Sequence, residues 1–406
     1  MSTISKAGIF IDVKQLLEFT YRMNKEMSVA DRRDFGSRLI QYNLDMITNF
    51  TMAFHRRDER VSFDVDLYAN LYRLCEQINS RSYAPLHNYS FMHRRSQKPR
   101  EVFAAEPALK IMMAFALSNI APLIESHLSP RTFNNRIGMG AQLAVNTVIE
   151  DIYEVSRGYT RPCWIIKVDY KGYFPHMNRD VAFRHIDEIV RREYHRPDKP
   201  DVRYCLEVAC FCDPSHSKRK SPLWEWADYP AYKSVYNKQP GVGGFIGYTF
   251  WQMIASLYPT AVDNFVAENV SRHFVRYVDD TVIVTDNKEA ALVMMPEYRR
   301  QLAGIGITMH PHKFYCQEAK HGVEFLGYRI LPGRIHLKMR TIRRALGVAR
   351  SRERGKQNYC DAINSYLGMI KGTSDLKWAV AILDAIQKNG INKDYKELKI
   401  NYHTNQ

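Results

Sequence analysis

The chain has 406 residues, 45% of them hydrophobic, enough to bury a large core spread over two or three lobes. Its formal charge of +15 suits a polyanionic partner, although positive charge can also serve solubility alone. Seven scattered cysteines, an odd number, argue against a disulfide framework and for reduced thiols in a cytosolic protein.

In chain order, residues 1–90 read as mainly helical, with an apolar stripe at Val13, Leu16, Leu17, Phe19 and Tyr21. The start, Met1 to Lys6, lacks the charged segment and apolar core of a secretory leader. Residues 105–160 also look helical. No apolar run is expected to reach the ~18 residues that span a bilayer, so no membrane partner is expected. The run Trp164-Ile-Ile-Lys-Val-Asp169 reads as a buried strand ending in an acid, and Gly172 and Pro175 stop it. Residues 195–240, rich in Pro, aromatics and charge, read as an insertion. Cys205, Cys210 and Cys212 lie near His216, but the spacing fits no common zinc pattern, and reduced thiols are the default. Residues 337–390 are predicted helical again. Ten Lys or Arg against the single acid Glu353 lie between Arg329 and Lys356, either a track for a nucleic-acid backbone or a solvated basic face.

The sharpest signal is Tyr277-Val278-Asp279-Asp280 between two short apolar runs, which predicts a β-hairpin with its acids at a tight turn. Asp-Asp is also simply a good turn pair. Adjacent carboxylates repel unless a cation neutralises them, and Mg²⁺ suits one or two carboxylates plus substrate phosphates. Asp169, from a separate strand, would complete a set able to hold two cations for phosphoryl transfer, although an isolated strand-end Asp is often a cap or turn residue.

These segments resemble a reverse transcriptase over roughly residues 85–375, with Asp169 in that family's first catalytic motif and Tyr277 to Asp280 in its central one. Further stretches agree in order: Ser96-Gln-Lys98-Pro-Arg100, Arg136-Ile-Gly138-Met-Gly140, Ile246 to Gln252, Ile307 to Lys313, Phe325-Leu-Gly327-Tyr, and Ser365 to Lys371. The resemblance implies an α+β right-hand polymerase with an antiparallel palm sheet, mainly helical fingers and a helical thumb. The expected divisions are 1–90 (helical extension and start of the fingers), 91–335 (fingers and palm, insertion at about 195–240) and 336–406 (thumb and tail).

The resemblance further implies that Asp169, Asp279 and Asp280 hold two Mg²⁺ ions, with Mn²⁺ able to substitute, and that Lys313 is a general acid near the pyrophosphate. Lys98, Arg100, Phe174 and Gln252 would line the dNTP pocket, Phe174 as the ring that excludes a ribose 2′-OH. Without the surrounding motif, Phe174 would read as a core aromatic. The implied activity is RNA-directed DNA polymerisation on a structured noncoding RNA, with DNA as product and a protein partner or second copy allowed. The alternatives are a polymerase-like RNA-binding scaffold without activity, or a template-independent or RNA-synthesising polymerase on the same fold.

Ser221-Pro-Leu-Trp, Lys233-Ser-Val-Tyr, His310-Pro-His-Lys313 and Gly322-Val-Glu-Phe-Leu-Gly327 are similar to the bacterial enzymes of diversity-generating retroelements, or to related antiphage-defence enzymes of the cytoplasm. Trp251 departs from that group's usual Ser before Gln252, and an indole there is expected to alter the pocket beneath the nascent base pair.

Overall fold

A computed structural model of the chain describes residue 70 and residues 73–388, except 85–87, 95–98, 213–217 and 352–355. The stripe at Val13–Tyr21, Lys98, His216 and Glu353 lie outside the described residues. Strands β1 (Tyr89–His93) and β2 (Arg100–Ala104) form an antiparallel hairpin. Helix α1 (Pro107–His127) follows, begun by Pro107, whose missing N–H costs nothing in the first turn. Next come α2 (Ala141–Val155), β3 (Trp164–Asp169), α3 (Arg179–Glu193) and α4 (Lys199–Phe211). The carbonyl oxygen of the Asn178 side chain caps α3 by accepting from Val181 N–H at 3.0 Å, and Arg191 and Arg192 face the negative end of its dipole. The two-residue strand β4 (Lys218–Arg219) then joins β1 in parallel.

The second half of the chain runs α5 (Thr249–Leu257), α6 (Thr260–Asn269), β5 (Phe274–Tyr277), β6 (Asp280–Thr285), α7 (Met295–Gly304) and β7 (Tyr315–Glu318). It continues through β8 (Val323–Phe325), β9 (Tyr328–Leu331) and β10 (Arg334–Leu337), an antiparallel meander, and the helices α8 (Met339–Arg350), α9 (Lys356–Ile370) and α10 (Leu376–Lys388). Helices and sheets are mixed, as expected for an α+β chain.

The central sheet is antiparallel in the order β5-β6-β3-β7. Strand alternation sends its side chains into two separate cores. Ile166, Val168, Phe274 and Ile283 join one with α1 and α3 to α7; Ile165, Val275, Val282 and Val284 join the other with α2, the meander and α8 to α10. A strand buried on both faces needs the near-continuous apolar run seen in β3.

Helix α1 corrects one expectation. By length and composition it could cross a membrane, with a mean hydropathy of 1.5 over 18 residues. Lys110, Ser118 and Asn119 interrupt the apolar run in the sequence, yet its average stays high. Its apolar content serves packing: Leu109, Met112, Leu117, Ile120 and Ile124 are buried in the first core.

Close backbone approach fixes one glycine. Gly247, at φ +116°, lets Ile246 accept from Phe103 N–H at 2.8 Å, and a Cβ there would lie 2.0 Å from the Phe103 carbonyl. The β1–β2 hairpin is thereby tied to the segment leading into α5.

Candidate active site

The sheet ends in a concentration of acids. In the β3–β6 register Asp169 lies directly opposite Asp280, and Tyr277 pairs with Asp280 across the hairpin. Val278 and Asp279 are thus the whole loop. Like charges on facing positions destabilise a sheet. Two lysines offset this. Lys313 Nζ donates to Asp169 Oδ2 at 2.5 Å, and Lys167 Nζ lies 2.9 Å from Asp280 Oδ1 and 4.7 Å from the centre of the Phe325 ring. Burial first, then the charges of Asp280 and Asp169, push the Asp279 carboxyl up to about 7.

The turn is held from both sides. Val278 adopts φ +59°, a left-handed conformation that costs a β-branched residue about 1–3 kcal/mol. Its N–H donates to Asn134 Oδ1 at 2.9 Å, and its carbonyl accepts from Arg276 Nη1 at 3.2 Å. Arg276 is fully buried and bonds both oxygens of Asp263, the Ser256 carbonyl and Thr132 Oγ1. Asn134 is fixed in turn by donating to Ser256 Oγ at 2.6 Å. Sequence reading missed Asn134, Arg276, Asp263 and Thr132. One signal was available: Phe274 and Arg276 share a strand face, so a charge pointing into a core had to have a buried partner.

Lys313 is placed by backbone bonds. The chain beyond β3 is stitched to two segments, with Tyr170 N–H on Asp279 O at 3.1 Å and Lys171 N–H on Thr308 O at 2.8 Å. His310 N–H donates to Asp169 O at 2.7 Å, and Lys313 N–H closes the turn on His310 O at 3.2 Å.

Asp169, Asp279, Asp280 and Lys313 are therefore brought together. The remaining candidates sit on neighbouring elements. Phe174 is half-buried, edge-on to Tyr173, and its carbonyl accepts from Gly244 N–H at 2.7 Å. Gln252, half-buried on α5, accepts from Asn135 Nδ2 through its backbone carbonyl at 2.6 Å. Arg100 is exposed at the start of β2. Trp251 corrects an expectation. Its indole is fully buried edge-on to Phe245 and Phe250, and a Cβ on Gly244 would meet it at 2.8 Å. The residue is part of the core rather than a wall beneath a base pair.

The donor set fits hard divalent cations. The three acids share one sheet end, where burial first and then their mutual repulsion raise Asp279. Among the described residues no three His, Cys, Asp or Glu side chains are grouped to hold an ion as they stand. Lys313 and Lys167 take up the charge of Asp169 and Asp280. Cys205, Cys210 and Cys212 are buried, and the Cys212 sulfur accepts from Asn88 Nδ2 at 3.1 Å.

An acidic hairpin thus stands beside an acid-ended strand, on an antiparallel sheet backed by helices. Residues 246–330 match the family described as "Reverse transcriptase (RNA-dependent DNA polymerase)", a stretch that includes Asp279, Asp280 and Lys313. No curated protein matches the chain. Similar solved structures include a telomerase from Candida albicans in complex with a TWJ fragment of telomeric RNA (TM-score 0.44, 10% identity, 75% of this chain and 55% of that one). An apo telomerase from Candida Tropicalis is also similar (TM-score 0.46, 12% identity, 75% and 56%). The chain thus spans little more than half the length of these two.

Proposed function

We propose that the chain is a reverse transcriptase that extends a 3′-hydroxyl with dNTPs on an RNA template. One observation carries this reading: Asp169 faces Asp280 in register while Asp279 occupies a turn pinned at both its neighbour's peptide groups. Two Mg²⁺ ions, held by Asp169, Asp279 and Asp280, would supply activation of the attacking hydroxyl and neutralisation of the leaving pyrophosphate. The protein's own contribution is positioning and charge. Lys313, which donates to Asp169 in this state, would supply the proton to the departing pyrophosphate. The half-buried Phe174 ring bars a ribose 2′-OH, and Arg100 with Lys98 grips the triphosphate.

In this reading the central sheet is the palm, the β1–β2 hairpin with α1 belongs to the fingers, and α8 to α10 form the thumb. Helix α8 supports the last assignment. Ile342, Ala345 and Ala349 are buried, while Arg340, Arg343, Arg344 and Arg350 face solvent, a stripe suited to duplex phosphates. The retroelement-like segments support a bacterial cytoplasmic enzyme copying a dedicated noncoding RNA, in a diversity-generating element or a defence system.

Primer extension on an RNA template tests the proposal. The wild type should incorporate dNTPs in strong preference to NTPs. Asp279→Asn with Asp280→Asn should lower synthesis by about a thousandfold or more while RNA binding persists. Synthesis retained in the double variant refutes the site.

A further inference from the structure

The segment from Lys218 to Lys238 carries features that the reading above leaves unused. It holds five Lys or Arg against two acids, Glu225 and Asp228. Leu223 and Trp224 are 66% and 67% exposed and Tyr232 is 39% exposed, whereas most large apolar side chains of the described residues are buried. The base of the segment is firmly held. Strand β4 pairs with β1, and the buried Glu101 accepts from Trp226 Nε1 at 2.9 Å, Ser234 Oγ at 2.8 Å and Val235 N–H at 2.7 Å. Arg219 lies over the Tyr236 ring at 4.1 Å and the Trp226 ring at 5.6 Å. The exposed rings are thus held out on a fixed base.

The surface also leads to the acids. Lys171, two residues beyond Asp169, places Nζ 5.1 Å from the Tyr232 ring centre, and Lys233 lies 5.6 Å from the same ring. Aromatic faces interleaved with cations suit single-stranded nucleic acid, whose bases stack and whose phosphates take the charge. A second copy of this chain would bring the same positive charge to the contact, which works against self-association through this patch.

We propose that the segment binds the unpaired strand of the template as it approaches the site, with bases stacked on Trp224 and Tyr232 and phosphates on Lys218 and Lys233. The template role rests on the polymerase reading, but the binding does not.

Fluorescence anisotropy of the full chain, without Mg²⁺ or nucleotides, separates the two. The probes are a labelled 20-nucleotide unstructured RNA and a blunt duplex of the same length. Trp224→Ala should weaken binding of the single strand roughly tenfold and of the duplex less than twofold, with Trp224→Phe recovering most of the loss. Unchanged single-strand affinity in Trp224→Ala overturns the proposal. So does an equal loss on both probes, which would mark a general electrostatic effect. If sedimentation shows a self-associating wild type that Trp224→Ala renders monomeric, with RNA affinity unchanged, the patch is a contact between copies and the proposal falls. A chain that binds the single strand through Trp224 yet extends no primer would sink the polymerase reading and leave this surface standing.

Discussion

Two regions are each anchored by one buried charge, and they differ in what that charge fixes. At the acidic hairpin, Arg276 is paired with Asp263 and, together with Asn134, holds both peptide groups of the strained Val278. In the segment from Lys218 to Lys238, Glu101 holds the base through Trp226, Ser234 and Val235 while Leu223 and Trp224 stand in solvent. The first arrangement sets the position of a single carboxylate. The second sets only where a surface begins. Placing a cation needs ångström-level constraint, whereas stacking against any base tolerates freedom at the tip.

Breaking the first anchor gives the largest expected effect. Arg276→Leu leaves Asp263 buried without its partner, and urea unfolding should show a loss of about 3–5 kcal/mol. Replacing both residues, Arg276→Leu with Asp263→Leu, should recover most of that stability. Primer extension should remain impaired in the double variant, because Val278 O has still lost its donor. Activity returning together with stability would reduce Arg276 to a packing role and erase the contrast between the two regions.

Asn134→Ala is the milder version. It strands the Val278 N–H in a half-buried turn, at a cost of about 1–3 kcal/mol. The displacement should fall on Asp279, so kcat should drop ten- to a hundredfold with little change in KM for dNTP, read by single-nucleotide addition.

How much of this was legible depends on sequence distance. The hairpin and its two-residue turn were readable because short runs of strand-forming residues and an acid pair are local signals, and β5 and β6 form with Val278 and Asp279 between them. Lys313 was readable through its motif, and its position is explained by the backbone turn on Asp169. Asn134 was not, because its bond to Val278 spans 144 residues and nothing in Phe133-Asn134-Asn135 announces it. Trp251 misled because a position near a motif is not an orientation. Its helix turns the indole into the core, and Gly244 leaves room for it. Lys167 lies in an otherwise apolar strand opposite Val282, and its Nζ reaches diagonally to Asp280 on the same face. For Asn134 and Lys167 the missing information was a long-range pairing that local periodicity does not carry.

A pH titration makes the smallest change and sharpens the comparison most cleanly. The Asp279 carboxyl is raised to about 7 in the fold by burial and by its acidic neighbours, well above its ordinary value. Below the ordinary value both folded and unfolded chains hold the proton, and the group costs the fold nothing. As pH rises towards 7 the unfolded chain ionises first, so the fold loses stability, and above about 7 the loss is complete. The metal-free protein should therefore melt a few degrees lower at pH 8 than at pH 5.5, as far as this group decides it. Asp279→Asn should flatten that dependence. Mg²⁺ should flatten it as well, by stabilising the ionised carboxylates, with binding that weakens as pH falls below about 7. Trp224→Ala should leave the slope as in the wild type, because the segment around it has no comparable cluster of acids. A slope unchanged in Asp279→Asn would mean that the charge strain lies elsewhere, and the hairpin would then be constrained by its backbone alone.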